Sequence, residues 1–141
     1  MTTIGYRDGI VATDTLTVAG TMVVDHNTEK FIERNGVKFF ICGATSDHIK
    51  LVEEYLSPTG RDIGDAEAIV VEADLIYVVG REDEGKGIYK CPNNRLNFIS
   101  LGSGTRFAIA AMDHGKSAKD AVEYAMRRDI YTGGEVRVYE I

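Results

Sequence analysis

Thr2-Thr3-Ile4-Gly5-Tyr6-Arg7-Asp8-Gly9-Ile10-Val11-Ala12-Thr13-Asp14 is the stretch on which the reading of this chain turns. Asp8-Gly9 between two runs of apolar and threonine residues predicts a tight hairpin with strands over Thr2–Arg7 and Ile10–Thr13. The hairpin starts at Thr2, and a small second residue suits removal of Met1. Thr2 then carries a hydroxyl and a free α-amine on one residue. A hydroxyl is a weak nucleophile at neutral pH until a base takes its proton. An α-amine, with an ordinary pKa of about 7.7–8.0, is such a base. Near the other end stands Arg128-Asp129-Ile130-Tyr131-Thr132-Gly133-Gly134, where two hydrogen-bonding side chains precede a pair of turn glycines.

Working outward, Thr17–Val24 reads as one extended stretch. Asn35-Gly36 predicts a second hairpin, between Lys30–Glu33 and Val37–Cys42. Thr45-Ser46-Asp47 supplies N-cap residues for a helix whose apolar residues Ile49, Val52, Tyr55 and Leu56 share a face, and Pro58 and Gly60 end it. Ala68–Glu72 and Leu75–Val79 read as buried strands, Arg81–Lys86 as an exposed turn, and Gly87–Cys91 and Asn97–Leu101 as further strands. The last third is helical: Ser103–His114, then a helix capped by Ser117 and running through Arg128 with Ala121, Val122, Ala125 and Met126 on one face. Glu135–Ile141 alternates and closes the chain as a strand. Tyr6, Tyr77, Phe39 and Phe40 are expected in the core. Strands first, helices late and a returning strand predict a layered α+β domain rather than a doubly wound one. With no repeat or linker in the sequence, residues 1–141 are read as a single domain.

Composition narrows the classes. The 141 residues are 44% hydrophobic and 27% charged, with a net charge of −6, values of an ordinary globular protein. Acids and bases interleave with no basic stripe, which argues against nucleic acid as a partner. No apolar run reaches membrane-spanning length. The start shows no secretory pattern, so a cytoplasmic protein with reduced Cys42 and Cys91 is expected. The two cysteines and His26, His48 and His114 have no metal-ligand spacing, and neither a metal nor an organic cofactor is expected.

Several blocks, in order along the chain, carry a resemblance: Thr2–Tyr6, Asp8–Asp14, Asn27-Thr28-Glu29-Lys30-Phe31, Cys42-Gly43-Ala44-Thr45-Ser46-Asp47, Leu101-Gly102-Ser103-Gly104 and Ala125–Val136. Together they resemble proteasome β-type subunits and the bacterial HslV peptidase, within the N-terminal nucleophile hydrolases. The chain looks like a short bacterial or phage-type member. The resemblance implies a four-layer αββα sandwich with a shortened helical layer, because only Ser57–Glu67 stand where the family places a second long helix. It implies Thr2 as nucleophile and base, Asp14 and Lys30 as the charge pair beside it, and the Gly43 N–H as oxyanion donor. Ser103, Asp129 and Thr132 would form an outer hydrogen-bond network around the amine. Thr132 replaces the family's usual serine and keeps its hydroxyl. Val18 stands where many relatives carry threonine.

By the same resemblance the expected function is a threonine-type peptidase acting on unfolded polypeptide or peptide inside a homo-oligomeric ring, with a separate ATPase as partner. Two alternatives stand beside it: a catalytically silent ring subunit, which a retained Met1 would favour, and a small-molecule amidase using the same nucleophile.

Overall fold

The computed structural model describes residues 2–83, 86–93 and 97–141. The chain forms two compact units, residues 1–30 with 96–141, and residues 31–95.

The first unit is a four-stranded antiparallel sheet with two helices on it. Its strands are β1 (Thr3–Arg7), β2 (Ile10–Asp14), β10 (Phe98–Gly102) and β11 (Val136–Glu140), in the order β10-β1-β2-β11. The predicted Asp8-Gly9 hairpin is present, with Ile4 opposite Thr13 and Arg7 opposite Ile10. Asp8 and Gly9 both have positive φ, 51° and 79°, as the tightest hairpin turn requires. Helices α2 (Thr105–Asp113) and α3 (Ala118–Arg128) pack on the sheet. Ala118 and Val122 of α3 bury against Ala12, with Ile10 and Val136 alongside. Gly5 makes this close approach feasible: a Cβ there would lie 3.4 Å from the Ala118 carbonyl oxygen. The stretch Thr17–Val24, expected as one strand, is instead a ribbon of β3 (Thr17–Ala19) and β4 (Met22–Asp25). Gly20, at φ 60°, breaks the run.

The second unit is a five-stranded antiparallel meander of β5 (Phe31–Arg34), β6 (Val37–Gly43), β7 (Ala66–Glu72), β8 (Leu75–Arg81) and β9 (Ile88–Pro92) with α1 (Thr45–Leu56). Its core gathers Phe39, Ile41, Leu51, Val52, Tyr55, Ile63 and Val70. Phe39, Phe40 and Tyr77 take the core positions expected of them, Tyr77 partly buried. The cap of α1 differs from expectation. Ala44 is the capping residue with no side-chain bond, and Thr45, Ser46 and Asp47 lie inside the helix. Asp47 is diverted across the loop, where it accepts the Asp65 N–H at 2.9 Å. No helix forms between α1 and β7, as the short connection predicts. The expected turn at Arg81–Lys86 includes residues 84–85, which lie outside the described residues.

Each unit pairs an antiparallel sheet with helices of its own, α2 and α3 in the first and α1 alone in the second, and the chain is α+β as expected.

Candidate functional site

Asp14 closes β2 and is fully buried among donors. Its Oδ1 accepts the Lys30 Nζ at 2.8 Å and the Thr3 N–H at 3.1 Å, and its Oδ2 accepts the Gly133 N–H at 3.0 Å and the Leu16 N–H at 3.4 Å. A buried carboxylate pays a large desolvation cost unless such partners surround it. Lys30 is 3% exposed and also donates to the Leu16 carbonyl oxygen at 2.7 Å. The pair joins the ends of two different segments, and through the Thr3 N–H it is tied to the residue after Thr2. Thr2 itself is 2% exposed.

A second polar chain runs on the side of β1 that faces the helices. Asp129, the C-cap of α3, accepts the hydroxyl of Ser103 at 2.5 Å and that of Thr132 at 2.6 Å, both on Oδ2. The Thr3 hydroxyl lies 2.7 Å from that of Thr132. An ionised carboxylate only accepts, so the single Thr132 proton goes to Asp129. The Thr3 hydroxyl must therefore donate to Thr132. Ser103 likewise spends its proton on Asp129, and its Oγ lies 3.5 Å from the Thr2 carbonyl oxygen. This commitment leaves the Ser103 lone pairs able to accept.

Backbone proximity holds this arrangement closed. A Cβ on Gly102, which has φ 98°, would fall 1.8 Å from the Thr2 carbonyl oxygen. A Cβ on Gly104 would fall 2.0 Å from the Thr3 Oγ1. Gly104 is also the N-cap of α2. Ser103 was expected to open that helix, but α2 starts at Thr105 and has no side-chain cap, because the Ser103 hydroxyl is used on Asp129.

Six of the seven residues singled out from sequence, Thr2, Asp14, Lys30, Ser103, Asp129 and Thr132, thus lie in the first unit around the start of β1. Gly43 lies in the second unit at the end of β6 with φ 97°, where a Cβ would fall 2.0 Å from the Asp65 carbonyl oxygen. Among the described residues no group of three or more His, Cys, Asp or Glu could hold a metal ion. Cys42 is buried, its Sγ 3.6 Å from the Glu67 carbonyl oxygen, and Cys91 is exposed.

Sequence reasoning missed Thr3, whose backbone N–H binds Asp14 while its hydroxyl binds Thr132. Its signal was present in the Thr2-Thr3 doublet, since adjacent strand residues face opposite ways and both hydroxyls can be used. It also missed Thr15, whose hydroxyl donates to the His26 carbonyl oxygen at 2.6 Å and accepts the Glu135 N–H at 2.8 Å. That bridge ties the β11 lead-in to the segment carrying Lys30.

No family model matches the chain. It is 26% identical over 167 residues to proteasome subunit beta type-8 of Canis lupus familiaris. The match takes in 94% of this chain, which spans about 60% of the length of that curated relative. Among solved structures it is similar to eukaryotic HslV from Trypanosoma brucei, with a TM-score of 0.71, 19% identity and coverage of 98% of this chain and 97% of that one. It is also similar to Thiobacillus denitrificans BPH in complex with epoxomicin, with a TM-score of 0.70, 17% identity and coverage of 99% and 97%. The fold is the one that HslV and BPH share. The chain is proteasome- and HslV-like, in agreement with the order of its sequence blocks.

Proposed function

We propose that the chain is a threonine-type peptidase whose nucleophile is the Thr2 hydroxyl, exposed together with its α-amine once Met1 is removed. The observation that carries this reading is the buried Lys30–Asp14 pair, linked to the Thr3 N–H at 3.1 Å. An ammonium beside the α-amine disfavours the amine's protonated form and keeps it a base. The amine takes the Thr2 hydroxyl proton as the oxygen attacks a peptide carbonyl carbon, and returns it to the departing nitrogen. Ser103, with its own proton on Asp129, accepts from the amine and orients it. By analogy with the family, the Gly43 N–H is assigned to the developing oxyanion. Water then releases the acyl group from Thr2.

The proposal extends to unfolded polypeptide as substrate, a homo-oligomeric ring and a separate ATPase partner, a reading that the likeness to HslV and the proteasome supports. That likeness also supports an epoxyketone as the probe, since epoxomicin is bound in the BPH structure. Met1 lies outside the described residues, so its removal is tested directly: the intact mass of the purified protein should lack it. A mass that includes Met1 in full favours the silent ring subunit. An epoxyketone should label wild type at Thr2 and leave folded Thr2→Ala and Lys30→Ala unlabelled; equal labelling of all three would place the nucleophile elsewhere. Cleavage of casein separates the peptidase from an amidase restricted to small substrates.

A further inference from the structure

Lys30 is the last residue of a segment, residues 26–30, that leads out of β4 and belongs to no strand. Its conformation is set by side chains. Asp25 accepts the Asn27 N–H at 2.9 Å and the Thr28 hydroxyl at 3.2 Å. The Thr28 N–H donates to the Thr15 carbonyl oxygen at 2.9 Å, and the Thr28 and Thr17 hydroxyls lie 2.6 Å apart. These bonds hold the segment as far as Thr28. The step to Lys30 passes through Glu29, whose carboxylate is gripped by one strand: Arg137 Nη1 donates to its Oε2 at 2.6 Å, and the Tyr139 hydroxyl donates to its Oε1. Arg137 also donates to the Asn27 side-chain oxygen. Arg137 and Tyr139 sit two apart on β11, so they share a face.

We propose that Arg137 and Tyr139 are positioning residues for Lys30, acting through the Glu29 carboxylate. The inference rests on the reading of Lys30 as the cation beside the Thr2 amine. The β11 strand and its lead-in then hold both members of the charge pair, since the Gly133 N–H binds Asp14. The phenol of Tyr139 stays a donor at any working pH: burial, then the bond to Glu29, pushes its pKa up to about 12. Arg137 and Glu29 are partly exposed, and ion pairs of that kind contribute little to global stability. Their loss therefore leaves the fold standing and frees the segment. None of these variants alters Lys30, Asp14 or Asp129, the charged groups of the site described above.

The test compares wild type with Arg137→Ala, Arg137→Lys and Tyr139→Phe in two measurements. In amide hydrogen exchange, Arg137→Ala should speed exchange over residues 26–30 by about tenfold while α3 is unchanged. In epoxyketone labelling of Thr2, it should move the acid limb of the rate profile to higher pH, with the high-pH plateau kept. At a pH on that limb the rate should fall about threefold to tenfold, because one unit of pKa is tenfold. Arg137→Lys should restore part of the loss, and Tyr139→Phe should show a smaller shift. Unchanged exchange over 26–30 overturns the proposal. Faster exchange with an unmoved limb, or an equal loss at every pH, overturns it as well, since either marks a merely structural strap. A wild type that no warhead labels sinks the peptidase reading instead, and the exchange measurement still decides whether Arg137 holds the Lys30 segment.

Discussion

Replacing Lys30 by methionine tests the central geometry without any assay of function. Lys30 and Asp14 are 3% and 0% exposed at the side chain. Breaking a buried ion pair by removing one partner costs about 3–5 kcal/mol, because the other charge is left uncompensated. Here Asp14 would keep three N–H donors, from Thr3, Gly133 and Leu16. Hydrogen bonds to a charged group each contribute about 1.5–3 kcal/mol, so Lys30→Met should fall at the low end, near 3 kcal/mol. Asp14→Ala should cost more, near 5 kcal/mol, since it strands the ammonium and three buried N–H groups together. The double variant Asp14→Asn, Lys30→Met removes both charges and keeps an acceptor, and it should cost less than the sum of the singles by about 2 kcal/mol or more. Urea denaturation followed by circular dichroism at pH 7 measures all three. For a chain of this size 3 kcal/mol corresponds to roughly 6–12 °C in Tm. Single variants within about 1 kcal/mol of wild type, or additive singles, would refute the reasoning, because a solvated surface pair behaves that way.

Thr132→Ser should keep stability and Thr2 labelling, whereas Thr132→Val removes the oxygen between Thr3 and Asp129 and should cost about 1–3 kcal/mol by urea denaturation. Burial alone would raise the pKa of Glu54, but the N–H groups of Gly60 and Thr59, the Thr59 hydroxyl and Arg61 outweigh it and the net shift is downward from 4.5. A depressed folded pKa gives stability that is present above 4.5 and lost as pH falls through the folded value; Glu54→Gln should flatten that acid limb in a pH series of melting curves. Ala73 and Asp74 both have positive φ, 49° and 64°, in the β7–β8 turn, so the pair Ala73→Asn, Asp74→Gly should stabilise by about 1 kcal/mol, read as a rise in urea midpoint.

The parts legible in the sequence are those with local causes. Asp8-Gly9 and Asn35-Gly36 dictated their hairpins because few other dipeptides accept two positive φ values in a row. The Ala73-Asp74 turn has the same geometry without that chemistry, so no local rule announces it and the pairing of β7 with β8 must impose it. Ser117 capped α3 as expected, accepting the Asp120 N–H at 3.1 Å. Asp47 and Ser103 have equally good capping chemistry, yet both are drawn to tertiary partners, Asp65 and Asp129. A side chain that can satisfy either a helix end or a distant group shows its choice only once the chain is folded. The same limit hid Thr3, Thr15 and Arg137. Their partners lie 11 to 129 residues away, and apart from the Thr2-Thr3 doublet nothing in their own neighbourhood distinguishes them from surface residues.

The short connection after α1 shows how a helix can be dispensed with without uncovering the core. Removing a packed helix exposes apolar sheet surface and leaves its replacement loop with backbone donors to satisfy. Ile63 answers the first need: it is fully buried in the cluster with Phe39, Leu51 and Val70. Glu54 answers the second, accepting the Thr59 N–H at 2.8 Å and the Gly60 N–H at 2.7 Å while pairing with Arg61. Asp47 does the same at the far end of the loop, over Gly64, where a Cβ would fall 2.3 Å from its carboxylate. All three devices lie in the second unit, whereas every side chain of the candidate site lies in the first. Shortening of this kind alters the periphery of one unit and leaves the Asp14–Lys30 pair, the Ser103–Asp129–Thr132 chain and the strand that carries Thr3 untouched.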